Sequence, residues 1–125
     1  MKYFDLIFLF GKYTVTNEWD KLRELITDDF YMTSAINHVI GADNYIEFER
    51  NRSLIFCQET LHFFESVDKT EYYHIYKITY IEPTVYEMIA HETFGIKNNL
   101  ISYAVRDGNF SDMPTELLNR STLKS

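Results

Sequence analysis

The chain has little of what marks several special architectures. A single cysteine, Cys57, in 125 residues rules out an internal disulfide, and no Cys/His spacing fits a structural zinc site, so no metal is expected. Two prolines and four glycines are too few for a disordered or low-complexity chain. Positive charge is scarce: 12 Lys and Arg face 19 Asp and Glu, a formal net charge of −7. No basic stripe is available to a phosphate backbone, and nucleic acid is excluded as a partner. No stretch reaches the ~20 apolar residues of a membrane span, so no membrane partner is expected. The apolar opening run is broken by Asp5 and lacks a small-residue cleavage site, which argues against a signal peptide. With one unpaired thiol, a reducing cytoplasm is the expected location.

Aromatic residues are abundant. One Trp, ten Tyr and ten Phe make up 17% of the chain. Rings of that number either overfill a core or line a cavity. The length supplies one hydrophobic core.

Phe4, Leu6, Ile7, Phe8, Leu9 and Phe10 cover nearly every face of a first helix, which is stable only if buried on most sides. Asn17 can cap a second helix, with Trp19, Leu22, Leu25 and Ile26 as its apolar stripe, ending near Thr27. Residues 30–35 form a short strand, followed by an irregular stretch to Gly41. Asp43 can cap a third helix with Tyr45, Phe48 and Ile55 inward and Glu47, Glu49, Arg50 and Asn51 toward water. Arg50 and Arg52 read as a solvated face, and Cys57 as a small buried hydrophobe. After Cys57 the period changes. Residues 58–67, 71–82, 85–97 and 100–106 are β-branched and aromatic runs joined by short turns, a meander of four long strands. The expected fold is α+β: a cone-shaped, curved, mixed but mostly antiparallel sheet with three helices of the N-terminal half on its concave face. Residues 1–110 form one domain, and 111–125 read as a loose polar tail with one helical turn.

Asn17-Glu18-Trp19-Asp20-Lys21-Leu22, Ile26-Thr27-Asp28-Asp29-Phe30, Gly41-Ala42-Asp43-Asn44-Tyr45-Ile46-Glu47-Phe48 and the hairpin Phe94-Gly95-Ile96-Lys97-Asn98-Asn99-Leu100-Ile101 follow one another in an order that resembles the nuclear-transport-factor-two-like (NTF2-like) superfamily and its SnoaL-like branch, over residues 4–108. The resemblance implies a cone with a deep pocket, and commonly a homodimer through the outer sheet face. It does not choose a function, because the fold hosts isomerases, dehydratases, cyclases, epoxide hydrolases and binding modules. The ketosteroid isomerase set of one tyrosine and two aspartates, a worked example of pKa tuning, falls near Phe10, Ser34 and Ala90, none of which can do that chemistry. Tyr13 lies nearly one turn on from Phe10. Scytalone dehydratase is similar at Thr60-Leu61-His62-Phe63-Phe64, which would make His62 a pocket base. Its second histidine aligns near Val85 and its tyrosine near Ser34, so that set is incomplete too.

An inward imidazole is the natural proton shuttle of an apolar pocket, which makes His62 the leading catalytic candidate. Its register is open, and the alternate one turns it to solvent. His74 shares a strand face with Tyr72, Tyr76 and Tyr80, a face that lines the pocket or joins two subunits. If Ala90 faces inward, Met88, Glu92 and Phe94 do too while His91 faces out. Glu92 is the second catalytic candidate, since a carboxylate among aromatics has its pKa raised. His38 reads as a loop residue on the rim.

The pocket is expected to be walled by Phe8, Phe10, Trp19, Tyr31, Tyr45 and Phe48, together with Tyr13, Ser34, Phe64, Met88, Ala90 and Phe94. It would take a small apolar or cyclic molecule. As an enzyme it would isomerise, dehydrate or cyclise that molecule with no cofactor, by acid-base catalysis. The alternative is a non-catalytic ligand-binding or dimerisation module whose aromatics fill the cone.

Overall fold

A computed structural model of the chain describes residues 3–52 and 54–121. Expectations for the first two residues and for the end of the tail, 122–125, lie outside the described residues. Helix α1 (Tyr3–Val15) buries Leu6, Ile7, Phe10 and Thr14, a stripe at helical spacing. Phe4 and Phe8 stand 51% and 59% exposed on another flank, so the helix is less enclosed than its all-round apolarity implies. Asn17 adopts a left-handed φ of 59° and stops α1, a use of Asn for the helix end rather than for the next helix's cap. Helix α2 (Trp19–Arg23) has Glu18 at its N-cap with no side-chain bond, and it is short because Ile26 already belongs to strand β1 (Ile26–Ser34). Strand β2 (His38–Ile40) occupies the stretch expected to be irregular. Helix α3 (Ala42–Arg52) follows, with Asp43 in its first turn rather than capping it.

Strands β3 (Ile55–Glu65), β4 (Glu71–Glu82), β5 (Tyr86–Lys97) and β6 (Leu100–Gly108) form the expected meander. The sheet order is β2-β1-β6-β5-β4-β3. Only the β1·β6 pairing is parallel. The β5–β6 loop is Asn98-Asn99 with φ of 54° and 64°, the left-handed pair that matches the twist of a two-residue hairpin. Gly95 is required for a different reason: a Cβ there would meet the Tyr103 ring at 2.0 Å, so the ring lies flat over the glycine on the outer face.

Two clusters make up the interior. The larger sets α1, α2 and α3 against β1 and the outer ends of β4–β6, with Phe10, Phe30, Tyr45 and Phe94 packed at ring separations of 4.8–6.2 Å. The smaller joins Tyr76, Ile78, Tyr80, Met88 and Ala90 of the sheet to Leu54, Met113 and Leu117. The segment after residue 110, expected as a loose polar tail with one helical turn, carries a helix. Residues 115–121 form helix α4 (Thr115–Ser121), whose Leu117 is fully buried and whose Ser121 carbonyl accepts a 2.5 Å bond from Asn37 Nδ2.

Candidate functional site

Strand alternation on β4 and β5 sends one set of side chains into the cone. On β4 these are Tyr72, His74, Tyr76, Ile78 and Tyr80; on β5 they are Met88, Ala90, Glu92 and Phe94. All of them but Tyr72, which packs in the main core, surround a cavity of about 70 Å³ completed by Phe10 and Gly11 of α1, Met32 and Ser34 of β1, and Arg106 of β6. A cavity needs about 10–15 Å³ to admit one water, so this one holds the equivalent of roughly five to seven. The aromatics therefore do not fill the cone completely.

The polar floor of the cavity is a buried charge array. Arg106 Nε donates to Glu92 Oε2 at 2.7 Å, its Nη1 to Glu49 Oε1 at 2.8 Å, and its Nη2 to the Tyr45 hydroxyl at 2.6 Å. Glu49 takes a second bond, from Arg52 Nη1 at 3.1 Å, and the Tyr76 hydroxyl donates to Glu92 Oε1 at 3.1 Å. Both carboxylates are about 5% exposed. Burial alone would raise the Glu49 carboxyl, but Arg52 and Arg106 outweigh it and hold it below the ordinary value. Burial likewise opposes charge on Arg106, and Glu92 leads the groups that keep it firmly protonated. Burial pushes the Tyr76 and Tyr45 hydroxyls well up, so both act as neutral donors or acceptors. Two anions and two cations thus balance in a buried space, with Arg52 Nε left without a hydrogen-bond partner among the described residues.

His74 stands on the cavity wall directly across the ladder from Glu92. Burial lowers its pKa, with Glu92 pulling weakly the other way, so the imidazole is neutral at pH 7. One ring nitrogen, Nε2, lies 2.8 Å from Thr60 Oγ1. The ring stacks on Tyr76 at 4.7 Å.

His62 is not in the cavity. It is exposed on the outer face of β3, stacked beside an equally outward Phe64 at 6.0 Å. The reason is a bulge: Thr60 pairs with Tyr76 and His62 with Ile75, so Leu61 is an extra residue, and Phe63 rather than His62 takes the inward position opposite His74. Val85 and Tyr31 are also exposed. Tyr13 packs against the main core, and Trp19 lines a neighbouring recess that shares Glu49, Arg52 and Phe56 with the cavity. Tyr45 and Phe48 are buried in the core behind the cavity wall. Phe10, Ser34, Met88, Ala90, Glu92 and Phe94 do line the cavity together, and His91 and His38 are exposed. The Tyr72, His74 and Tyr76 face is interior, which removes it as a subunit-joining surface. Cys57 is exposed rather than buried.

Three site residues escaped the sequence reading. Arg106 sits in the strand 100–106 without an evident partner, although inward parity with Ala104 would have flagged it. Glu49 and Arg52 read as solvated helix residues, yet their i,i+3 spacing is that of an ion pair, and 4% and 14% side-chain exposure shows them turned inward. Among the described residues no group of His, Cys, Asp or Glu is placed to hold a metal ion, and no helix is long and apolar enough to cross a membrane.

No protein-family model matches the chain, and no curated protein is similar to it. Solved structures are similar in shape. An NTF2-like protein of unknown function from Cytophaga hutchinsonii aligns with a TM-score of 0.76 at 14% identity, covering 89% of this chain and 93% of that one. An LEH-like epoxide hydrolase from M. tuberculosis gives 0.77 at 13%, covering 94% and 89%. A proposed SnoaL-like polyketide cyclase from Shewanella putrefaciens gives 0.77 at 11%, covering 91% and 83%. The chain therefore has the NTF2-like fold.

Proposed function

We propose that this NTF2-like cone binds a small, largely apolar molecule and moves a proton on it without a cofactor, with His74 as the base. The observation that supports this most is a neutral, half-buried imidazole on the wall of a cavity with aromatic and aliphatic sides and a charged floor, facing Glu92 across the ladder. In the tautomer whose Nε2–H donates to Thr60, the Nδ1 lone pair is free to accept a proton from a carbon next to a carbonyl. The imidazolium so formed is stabilised by the Glu92 carboxylate and can return the proton at a second position. Isomerisation, dehydration and cyclisation all reduce to that exchange. The neighbours' printed functions include hydrolase and cyclase, so fold likeness alone does not select among them.

One observation favours a second reading, a non-catalytic binding module. Both buried carboxylates are already engaged by guanidinium groups, so that among the described residues His74 alone offers the cavity wall an imidazole. A shift of the His74 ring signals in two-dimensional NMR on adding cyclohexanone is expected under both readings, and its absence removes the cavity as a binding site. The readings separate on turnover: the base reading expects it to be lost in His74→Gln, and turnover that survives that substitution rejects it.

A homodimer through the outer sheet face is part of the proposal: Tyr73 and Ile89 are exposed there and Tyr31 stacks on Tyr103 at 5.4 Å, a surface of aromatic and aliphatic groups suited to a second copy. The exposed, unpaired Cys57 suits a reducing cytoplasm.

A further inference from the structure

Helix α1 and strand β3 leave between them an apolar groove of about 240 Å³, with Phe4, Phe8, Val15 and Phe63 on its walls. The groove is not separate from the cavity: Ile7, Gly11, Gln58 and His74 line both. Gly11 stands at that shared wall. A Cβ there would come within 3.2 Å of Gln58 Oε1, so a larger side chain would press on Gln58 and crowd the passage that a ligand spanning both must take. A glycine inside a helix costs about 1 kcal/mol relative to alanine, so one in the middle of α1, where the helix passes β3, calls for a spatial reason. Phe4 and Phe8, one turn apart on the groove side, are more than half exposed.

We propose that the groove seats the apolar chain of the same ligand whose polar head enters the cavity. The ligand class is then an elongated amphiphile, a chain ending in one uncharged hydrogen-bonding group such as a carbonyl or hydroxyl. This rests on the small-molecule reading above and adds the ligand's shape and charge to it. Three features carry it. The cavity is too small for a fused-ring molecule, and the space that continues from it is walled by rings and aliphatic side chains. The head is uncharged because the buried charges of the lining, Glu49 and Glu92 against Arg52 and Arg106, already balance, while Asp107 lines the cavity from an exposed position, and another buried charge would go unpaired. His74, at the junction, meets the ligand where the chain joins the head.

The test uses straight-chain ketones, from butan-2-one to undecan-2-one, titrated into the full chain and followed by NMR. Burying a methylene contributes about 0.8 kcal/mol, so Kd should fall roughly fourfold for each carbon that enters the groove and then level off. Gly11→Leu, which narrows the passage, and Phe8→Ser, which removes a groove wall at an exposed position and spares the fold, should each weaken the longest ketones by about tenfold or more relative to butan-2-one. Affinity that ignores chain length while butan-2-one binds would sink the groove assignment and leave the small-molecule site standing. A length dependence untouched by Phe8→Ser would also overturn it. No ketone binding at all would remove both.

Discussion

Arg106 makes three hydrogen bonds at once, to Glu92, Glu49 and Tyr45, with 16% of its side chain exposed. Replacing it by methionine keeps the volume but leaves two buried carboxylates short of a partner, and breaking a buried pair in this way costs about 3–5 kcal/mol. Urea unfolding of Arg106→Met at pH 7 should show a loss of that size. The pH dependence follows from Glu49, whose folded pKa is depressed below the ordinary 4.5. The unfolded chain then binds the proton more readily, so the stability from this group is present above that value and is lost as pH falls through the lowered folded value. Wild-type stability should drop on acidification below about pH 4.5, and Arg106→Met, having lost part of what depresses Glu49, should drop less steeply. His74 follows the same sign: its lowered pKa contributes stability present above 6.5 and lost as pH falls through the folded value.

At the scale of elements, α4 shows how a short polar segment becomes structural. Leu117 is fully buried against Met113 and the Tyr76–Tyr80 side of the sheet, while Glu116 and Arg120 face water. Truncating such a leucine removes its transfer energy and leaves a cavity, together worth about 2–5 kcal/mol. Leu117→Ala should therefore lose that much in a denaturant titration, whereas a loose tail would show no change. The β3 bulge acts on the same scale. One extra residue, Leu61, reverses which of His62 and Phe63 faces inward, and so keeps His62 out of the cavity that His74 on β4 lines.

For the whole molecule, the curvature of the sheet separates an inner face that carries the cavity from an outer face that carries Tyr31, Tyr73, Ile89 and Tyr103. If that outer face joins two copies, a charge at its middle will part them, since Ile89 is 45% exposed in the isolated chain and its substitution disturbs no core contact. Light scattering after size exclusion should report a dimer for the wild type and a monomer for Ile89→Glu. An unchanged mass in the variant would place any dimer contact elsewhere.

Local pattern was enough for the helices α1 and α3, for four long strands and for the shared face of Met88, Ala90, Glu92 and Phe94, because strand alternation and helical spacing are properties of neighbours in the chain. Positions 10, 34 and 90, inferred from likeness, do meet at one cavity. Pairing across the sheet was a different matter. The Asn98-Asn99 loop sets Lys97 against Leu100, and a straight ladder from there would put Val105 opposite Glu92. A one-residue irregularity between Gly95 and Ile96 puts Arg106 there instead, and the bulge at Leu61 moves His62 out. Sequence by itself determined α1, α3, the four long strands and the α+β class, while β2 and α4 emerged only with the tertiary structure. Tertiary structure alone decided the site, because each shift of one residue turns a strand's side chains to the other face, and only packing across the sheet selects the shift.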